Sequence, residues 1–264
     1  MRLIVKIGGS LLTSQELLNK IVGQLVQLKN ENLEFIIVHG GGKQIKYYLN
    51  ELHLKSEFKN GLRVTTPQTM EVVQMVLAGL VNKNIVAEFS KFNIPAVGLC
   101  GSDGKSFIAQ KYWDSAENET GLDYGQVGEV VQGNPTLINL LVSHNFIPVI
   151  ACVGLGVDGS HFNVNADEMA SAVAILCNAD RLIFLTDVPG ILDSNKKVIP
   201  NLNSRKLDEL RSNNVVTEGM LPKTRACDRA LKEGISKIHI IGGREIDCLL
   251  RLISFEEKIG TTIH

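Results

Sequence analysis

Two rhythms run along this chain: short unbroken apolar runs, and longer stretches whose apolar positions fall three or four residues apart. Leu3 to Ile7 is the first run and reads as a buried strand. Thr13-Ser14-Gln15-Glu16 has capping-box spacing, and Leu17, Leu18, Ile21, Leu25 and Leu28 then trace one face of a helix. Phe35 to His39 is a second apolar run. Three glycines follow it and lead into a helix through Ile45, Leu49 and Leu52. Strand, glycine turn and helix thus occur twice in succession, which is a βαβ signature and predicts an α/β fold.

Further on, Thr66-Pro67 supplies a cap with proline in the first helical turn. A long helix is predicted behind it, through Met70, Val73, Val76, Leu77, Leu80 and Val81 toward Phe89. It is apolar over more of its surface than a singly buried helix requires, so either a second subunit or a deep core should cover it. Ala96 to Leu99, Ile147 to Val153, Leu182 to Thr186 and Ile238 to Ile241 read as further strands, and Asp167 to Cys177 as a helix. Phe107 to Val131 is polar and rich in glycine and acids, which suits hairpins or a flap; 118–126 has no apolar period. No linker separates the halves. Residues 1–175 are expected to handle one substrate and 176–264 a nucleotide, with one sheet continuous between them.

Composition narrows the function. Apolar residues make up 44% of 264, enough for a sizeable core. Lys plus Arg number 27 against 28 acids, so there is no nucleic-acid footprint and any anionic ligand must be held locally. The five cysteines are scattered without a CxxC pair and read as reduced, buried thiols; a zinc site is not expected. The N-terminus lacks a secretion-signal pattern, and no apolar stretch approaches the roughly 20 residues that span a bilayer. A soluble, cytoplasmic protein with no membrane partner is the expectation.

The candidate chemistry gathers at the strand ends. Lys6 lies inside an apolar strand just before Gly8-Gly9, where burial is unfavourable unless its ammonium meets an anion or escapes from an edge strand to solvent. Gly40-Gly41-Gly42 carries a large backbone entropy cost and packs nothing itself, so close approach of a ligand explains it better than turning alone. His39 before it reads as a structural histidine. Arg63, within Asn60-Gly61-Leu62-Arg63-Val64-Thr65, offers a guanidinium fork to a carboxylate, with a surface ion pair as the alternative. In Asn163-Val164-Asn165-Ala166-Asp167, an extended backbone would point Asn163, Asn165 and Asp167 the same way, and Asn165 or Asp167 would also serve as a helix cap. Thr186-Asp187 follows a strand, a favourable place for nucleotide contacts, and Lys223 is expected to start a helix after Gly219-Met220-Leu221-Pro222.

The ordered set KIGGSLL (6–12), HGGG (39–42), NGLRVT (60–65), MVLAGLVNK (75–83), NVNAD (163–167), TDVPGI (186–191) and GMLPK (219–223) resembles the amino-acid kinase family, and within it the bacterial acetylglutamate kinases. The resemblance covers nearly the whole chain. It implies an open, mostly parallel sheet sandwiched by helices and a homodimer formed through the long helix. It also implies phosphorylation of the side-chain carboxylate of N-acetyl-L-glutamate by ATP with Mg2+, in arginine biosynthesis. Lys6 and Lys223 would stabilise the transferring phosphoryl group and Asp167 would organise them. Gly41, Gly42, Arg63 and Asn163 would bind acetylglutamate; Gly8, Gly9, Thr186 and Asp187 would line the ATP side; no side chain is expected to bind metal directly. Gly243 and Ala151-Cys152-Val153 depart from the family pattern, while Gly260-Thr261 follows it. The first strand begins almost at Met1, which implies a dimer without strong arginine inhibition. A kinase for carrier-protein-linked aminoadipate and an inactive amino-acid-binding regulator remain as alternative functions.

Overall fold

A computed structural model describes residues 1–264 except 30, 32, 114–122, 214, 217 and 218. The expectation for 118–122 therefore falls outside the described residues. At the centre stands β1 (Arg2–Ile7), paired in parallel with β2 (Glu34–His39) on one side and β11 (Arg181–Thr186) on the other. From Leu3 to Ile7 every residue is buried, so both faces of this strand are covered. A strand buried on both faces reads as a continuous apolar run rather than as alternation.

Around this centre an eight-stranded sheet takes the order β12-β14-β13-β11-β1-β2-β8-β5. Its further strands are β5 (Ala96–Leu99), β8 (Ile147–Ala151), β12 (Asn201–Leu202), β13 (Lys237–Gly242) and β14 (Thr261–Ile263). Among the described residues, the β13–β14 pairing alone within this sheet is antiparallel. Chain order reverses at β1: early strands build outward through β2 and late ones through β11. Such a switch point opens a crevice beyond the carboxyl ends of the strands. The glycine turns after β1 and β2 and the Thr186-Asp187 turn after β11 all lie there.

Helices cover the sheet. Helix α6 (Ala166–Leu176) lies across β1, β2 and β11, with α8 (Leu221–Lys232) against it; α1 (Gln15–Lys29) packs on β2 and against α4 (Asn82–Ser90) and α9 (Cys248–Ile253). A second, smaller sheet closes on itself from β6 (Phe107–Lys111), β7 (Val127–Gly133), β9 (Val153–Leu155) and β10 (His161–Val164). A hairpin, β3 (Phe58–Lys59) with β4 (Leu62–Arg63), stands apart from both.

The structure revises several expectations. Helix α1 is capped by Ser14, whose Oγ accepts from Leu17 N at 3.2 Å, while Thr13 turns back to donate to Ser10 O; the box at 13–16 is one residue out of register. The run from Ile147 divides at Cys152, because β8 stays in the large sheet and β9 leaves for the small one. The long helix is continuous over 24 residues, Pro67–Ser90, with α3 (Pro67–Gln74), a π-helical segment (Met75–Val81) and α4 in succession. Thr66 caps it as expected, accepting from Thr69 N. By length and composition alone this helix is long and apolar enough to cross a membrane, a test that a buried core helix also passes. Half of its most apolar window is buried within the protein, and α4 packs on β5 and β8.

Ile37, fully buried in β2 between Val5 and Val149, tests how tightly this centre is packed. Ile37→Ala is expected to lower unfolding free energy by about 2–5 kcal/mol, measured as a reduced urea midpoint at unchanged slope.

Candidate active site

Lys6 cannot reach an edge from the middle of the large sheet, so the solvent-escape alternative fails: only 7% of the residue is exposed. Its Nζ lies 2.8 Å from Oδ1 of Asp167, in the first turn of α6. Lys223, in the first turn of α8 and equally buried, places its Nζ 2.8 Å from that same oxygen. Two ammoniums thus share one carboxylate oxygen, and the trio keeps a net positive charge. Burial on its own would raise the Asp167 carboxyl, but the Lys223 and Lys6 charges outweigh it and hold it well below the usual carboxylate range. Burial pulls the Lys223 ammonium down from its ordinary value, Asp167 opposing and Lys6 reinforcing the change.

The extended reading of 163–167 holds only as far as Val164. Asn165 then caps α6, its Oδ1 accepting from Asp167 N at 2.8 Å and from Glu168 N at 3.4 Å. The helical turn, rather than strand alternation, delivers Asp167 to the lysines. Asn163 remains on β10 and donates to Thr65 Oγ1 at 3.0 Å; that hydroxyl donates in turn to Arg63 O. Arg63 is buried under the β3–β4 hairpin. Its guanidinium donates to Gly42 O at 3.0 Å and to Ser56 Oγ, and sits 4.5 Å from the Phe58 ring centroid. Burial draws it down to about 10, still charged at neutral pH.

The two glycine turns face one another. A Cβ on Gly9 would stand 3.0 Å from Gly41 N and 3.2 Å from Gly42 N, and one on Gly41 would meet Leu77 Cδ2 of the long helix at 2.6 Å. Backbone packing therefore explains Gly9 and Gly41 as well as any ligand does, whereas Gly42 faces open space at the N-terminus of α2 (Gly42–Glu51). Helix N-termini favour anions. Lys6, Gly9, Gly41, Gly42, Arg63, Asn163 and Asp167 all line one cleft of about 230 Å³. Lys223 joins it through Asp167. Gly8 packs on the end of β11, where a Cβ would stand 2.9 Å from Leu185 O and 3.7 Å from Thr186 Cα; Gly8, Thr186 and Asp187 are not among the residues that line the cleft. The Asp187 side chain is exposed there, accepting from Thr186 Oγ1 at 3.3 Å. Sequence reasoning overlooked Phe58, whose ring sits against Arg63, and gave Cys152 only a packing role, yet both line the cleft. Burial drives the Cys152 thiol up to about 12, so it is inert. His39 is fully buried and does not line the cleft.

Comparisons with known proteins bear on the family. A sequence model described as the amino acid kinase family matches residues 1–242. The chain belongs to the amino acid kinase family. The acetylglutamate kinase of Aquifex aeolicus is 43% identical over 269 residues, taking in 98% of this chain and 90% of its own. That of Rhizobium etli is 41% identical, with 99% of this chain and 90% of its own covered. Among solved structures, smu.665 of Streptococcus mutans superposes with a TM-score of 0.82 at 29% identity, covering 99% of this chain and 98% of its own. This amino acid kinase thus shares its sheet and helices with relatives over almost its entire length.

Burial holds His39 and His239 neutral, each down to about 4, against 6.5 for an ordinary histidine. A histidine whose folded value is depressed supports folding fully above pH 6.5 and loses that support as pH falls toward 4. The unfolding free energy from urea titration should be level above pH 6.5 and fall below it, by about 1–2 kcal/mol per histidine at pH 5. A free energy level down to pH 5 contradicts this.

Proposed function

We propose that this amino acid kinase transfers the terminal phosphoryl group of ATP to the side-chain carboxylate of N-acetyl-L-glutamate, forming N-acetyl-L-glutamyl 5-phosphate and ADP in arginine biosynthesis. The observation that carries this reading is the pair of buried lysines on one oxygen of Asp167, at the mouth of a cleft that also holds an arginine and a helix N-terminus. Identities above 40% to acetylglutamate kinases supply the substrate.

The attacking group needs no general base, because a side-chain carboxylate with an ordinary value near 4.3 is already ionised at neutral pH. The obstacle is repulsion between two anions. Lys6 and Lys223 offset charge on the transferring phosphoryl oxygens, and the free N–H groups of the glycine turn add donors that require no reorganisation. Asp167, held ionised by both lysines, neither gives nor takes a proton near neutrality; it sets their spacing. Arg63 and Asn163 orient acetylglutamate from the hairpin side. Gly8, Gly9 and Thr186, at the carboxyl ends of β1 and β11, suit the ATP phosphates, with Asp187 beside them. Mg2+ would come with the nucleotide: among the described residues no group of three or more His, Cys, Asp or Glu is arranged to hold a metal. In this scheme residues 1–175 bind acetylglutamate and 176–264 bind ATP.

Two copies would associate through the long helix, where Met75 is 60% and Leu80 41% exposed. A cytoplasmic location suits the five buried, unpaired cysteines.

The direct test is magnesium-dependent ATP turnover with acetylglutamate, trapping acyl phosphate with hydroxylamine. Turnover with carrier-linked aminoadipate instead would replace the substrate, and ligand binding with no acyl phosphate would make the protein a regulator. Lys6→Ala and Lys223→Ala should each lower kcat about 10²–10³-fold, while Arg63→Ala should raise KM for acetylglutamate about 10- to 100-fold. Near-wild-type kinetics in all three would remove the proposed roles. Because Lys223 is depressed in the free enzyme, the alkaline limb of kcat/KM should begin below the ordinary lysine value near 10.4. Sedimentation velocity of Leu80→Glu should shift a dimer toward monomer.

A further inference from the structure

Two buried polar side chains stand beside the cleft without a part in this chemistry: His39, at the end of β2, and Asn82, where the π-helical segment passes into α4. Both are fully buried. Asn82 Nδ2 lies 2.8 Å from Val149 O and 3.2 Å from His39 Nε2. A carbonyl oxygen only accepts, so the Val149 contact settles which amide atom of Asn82 is nitrogen. The same NH2 group then donates to Nε2, which must be the unprotonated ring nitrogen. Nδ1 carries the proton and donates it to Gly40 O at 3.0 Å. Asn82 is packed from the far side as well: a Cβ at Gly98 would overlap Asn82 Oδ1.

The consequence falls on the next peptide. Within a planar trans peptide, C=O and N–H point in opposite directions. A Gly40 carbonyl drawn inward to His39 therefore turns the Gly41 N–H outward. Gly40, Gly41 and Gly42 all line the cleft, and among the described residues neither Gly41 N–H nor Gly42 N–H donates to a protein acceptor. A peptide plane flanked by two glycines turns about their Cα bonds with little steric resistance, so its orientation needs an external restraint. Granted the acetylglutamate reaction proposed above, we propose that His39, set in its Nδ1-protonated form by Asn82, is a positioning residue. It holds the Gly40–Gly41 peptide so that the Gly41 N–H faces the reacting carboxylate. The long helix thereby reaches the substrate loop through two hydrogen bonds, without touching substrate through Asn82 or His39 themselves.

Steady-state kinetics on the full-length enzyme test this with two variants. His39→Leu removes the donor to Gly40; His39→Asn places an amide N–H near the Nδ1 position. His39→Leu should raise KM for acetylglutamate about 10-fold or more, as expected for a hydrogen bond to a charged group, while leaving KM for ATP within about twofold. His39→Asn should recover most of the loss. A merely structural histidine would move both KM values or neither, and either result overturns the assignment, as does an Asn variant as impaired as the Leu one. Long-range 1H–15N spectra of the wild-type protein give a readout independent of whether the variants fold. His39 protonated on Nδ1 supports the proposal, and protonation on Nε2 overturns it. The reaction itself is judged separately, on wild-type turnover: no acyl phosphate from acetylglutamate would sink the proposed function, while the ring tautomer would still decide the geometry.

Discussion

One carboxylate oxygen shared by two buried ammoniums is the constraint on which the site depends. Asp167 Oδ1 stands 2.8 Å from both Lys6 and Lys223, and the three groups come from a strand and two different helices. Two like charges brought that close repel, and a single acid cannot balance them. The surplus positive charge is tolerable because the cleft is open to an anion. A positive centre beside a helix N-terminus and an arginine is thus arranged for the moment when a second anion approaches, and its unfavourable resting electrostatics are relieved by the substrates.

The sheet makes this convergence possible. Because chain order reverses at β1, the turns after β1, β2 and β11 meet above the same strand ends. Lys6 and Lys223, 217 positions apart in sequence, become neighbours on Asp167. The close approach of the turns is itself a packing problem. Any side chain on Gly9 would crowd the Gly41 and Gly42 amides, and any on Gly41 would strike Leu77. Glycine serves two purposes here, letting two backbones and a helix meet and leaving N–H groups free at the surface of the cleft. The freedom that permits this also leaves the peptide orientation undefined by local sterics, which gives the His39–Asn82 pair its importance.

Much of this is legible in the sequence. The strands at β1, β2 and β11 appear as continuous apolar runs, and α1, α6 and the long helix follow apolar spacing and caps such as Thr66. Errors came where a local pattern served a different element. Ser14 replaced Thr13 as a cap because only one residue occupies the position before the first helical turn. The apolar run after Ile147 crossed from one sheet to another without a change in composition.

By itself the sequence determined the repeated strand–glycine–helix units, the charged residues near them and, through the ordered motifs, the family. Those features are local: they depend on propensity, periodicity and residue type within a few positions. The tertiary structure decided that Lys6 and Lys223 meet on one oxygen. It also decided that Gly41 is required by Leu77, and which nitrogen of His39 carries its proton. Each of these is a relation between side chains brought together by strand order and helix packing. Direction and distance in three dimensions, which no one-dimensional pattern encodes, settle the charge balance of the cleft and the aim of its donors.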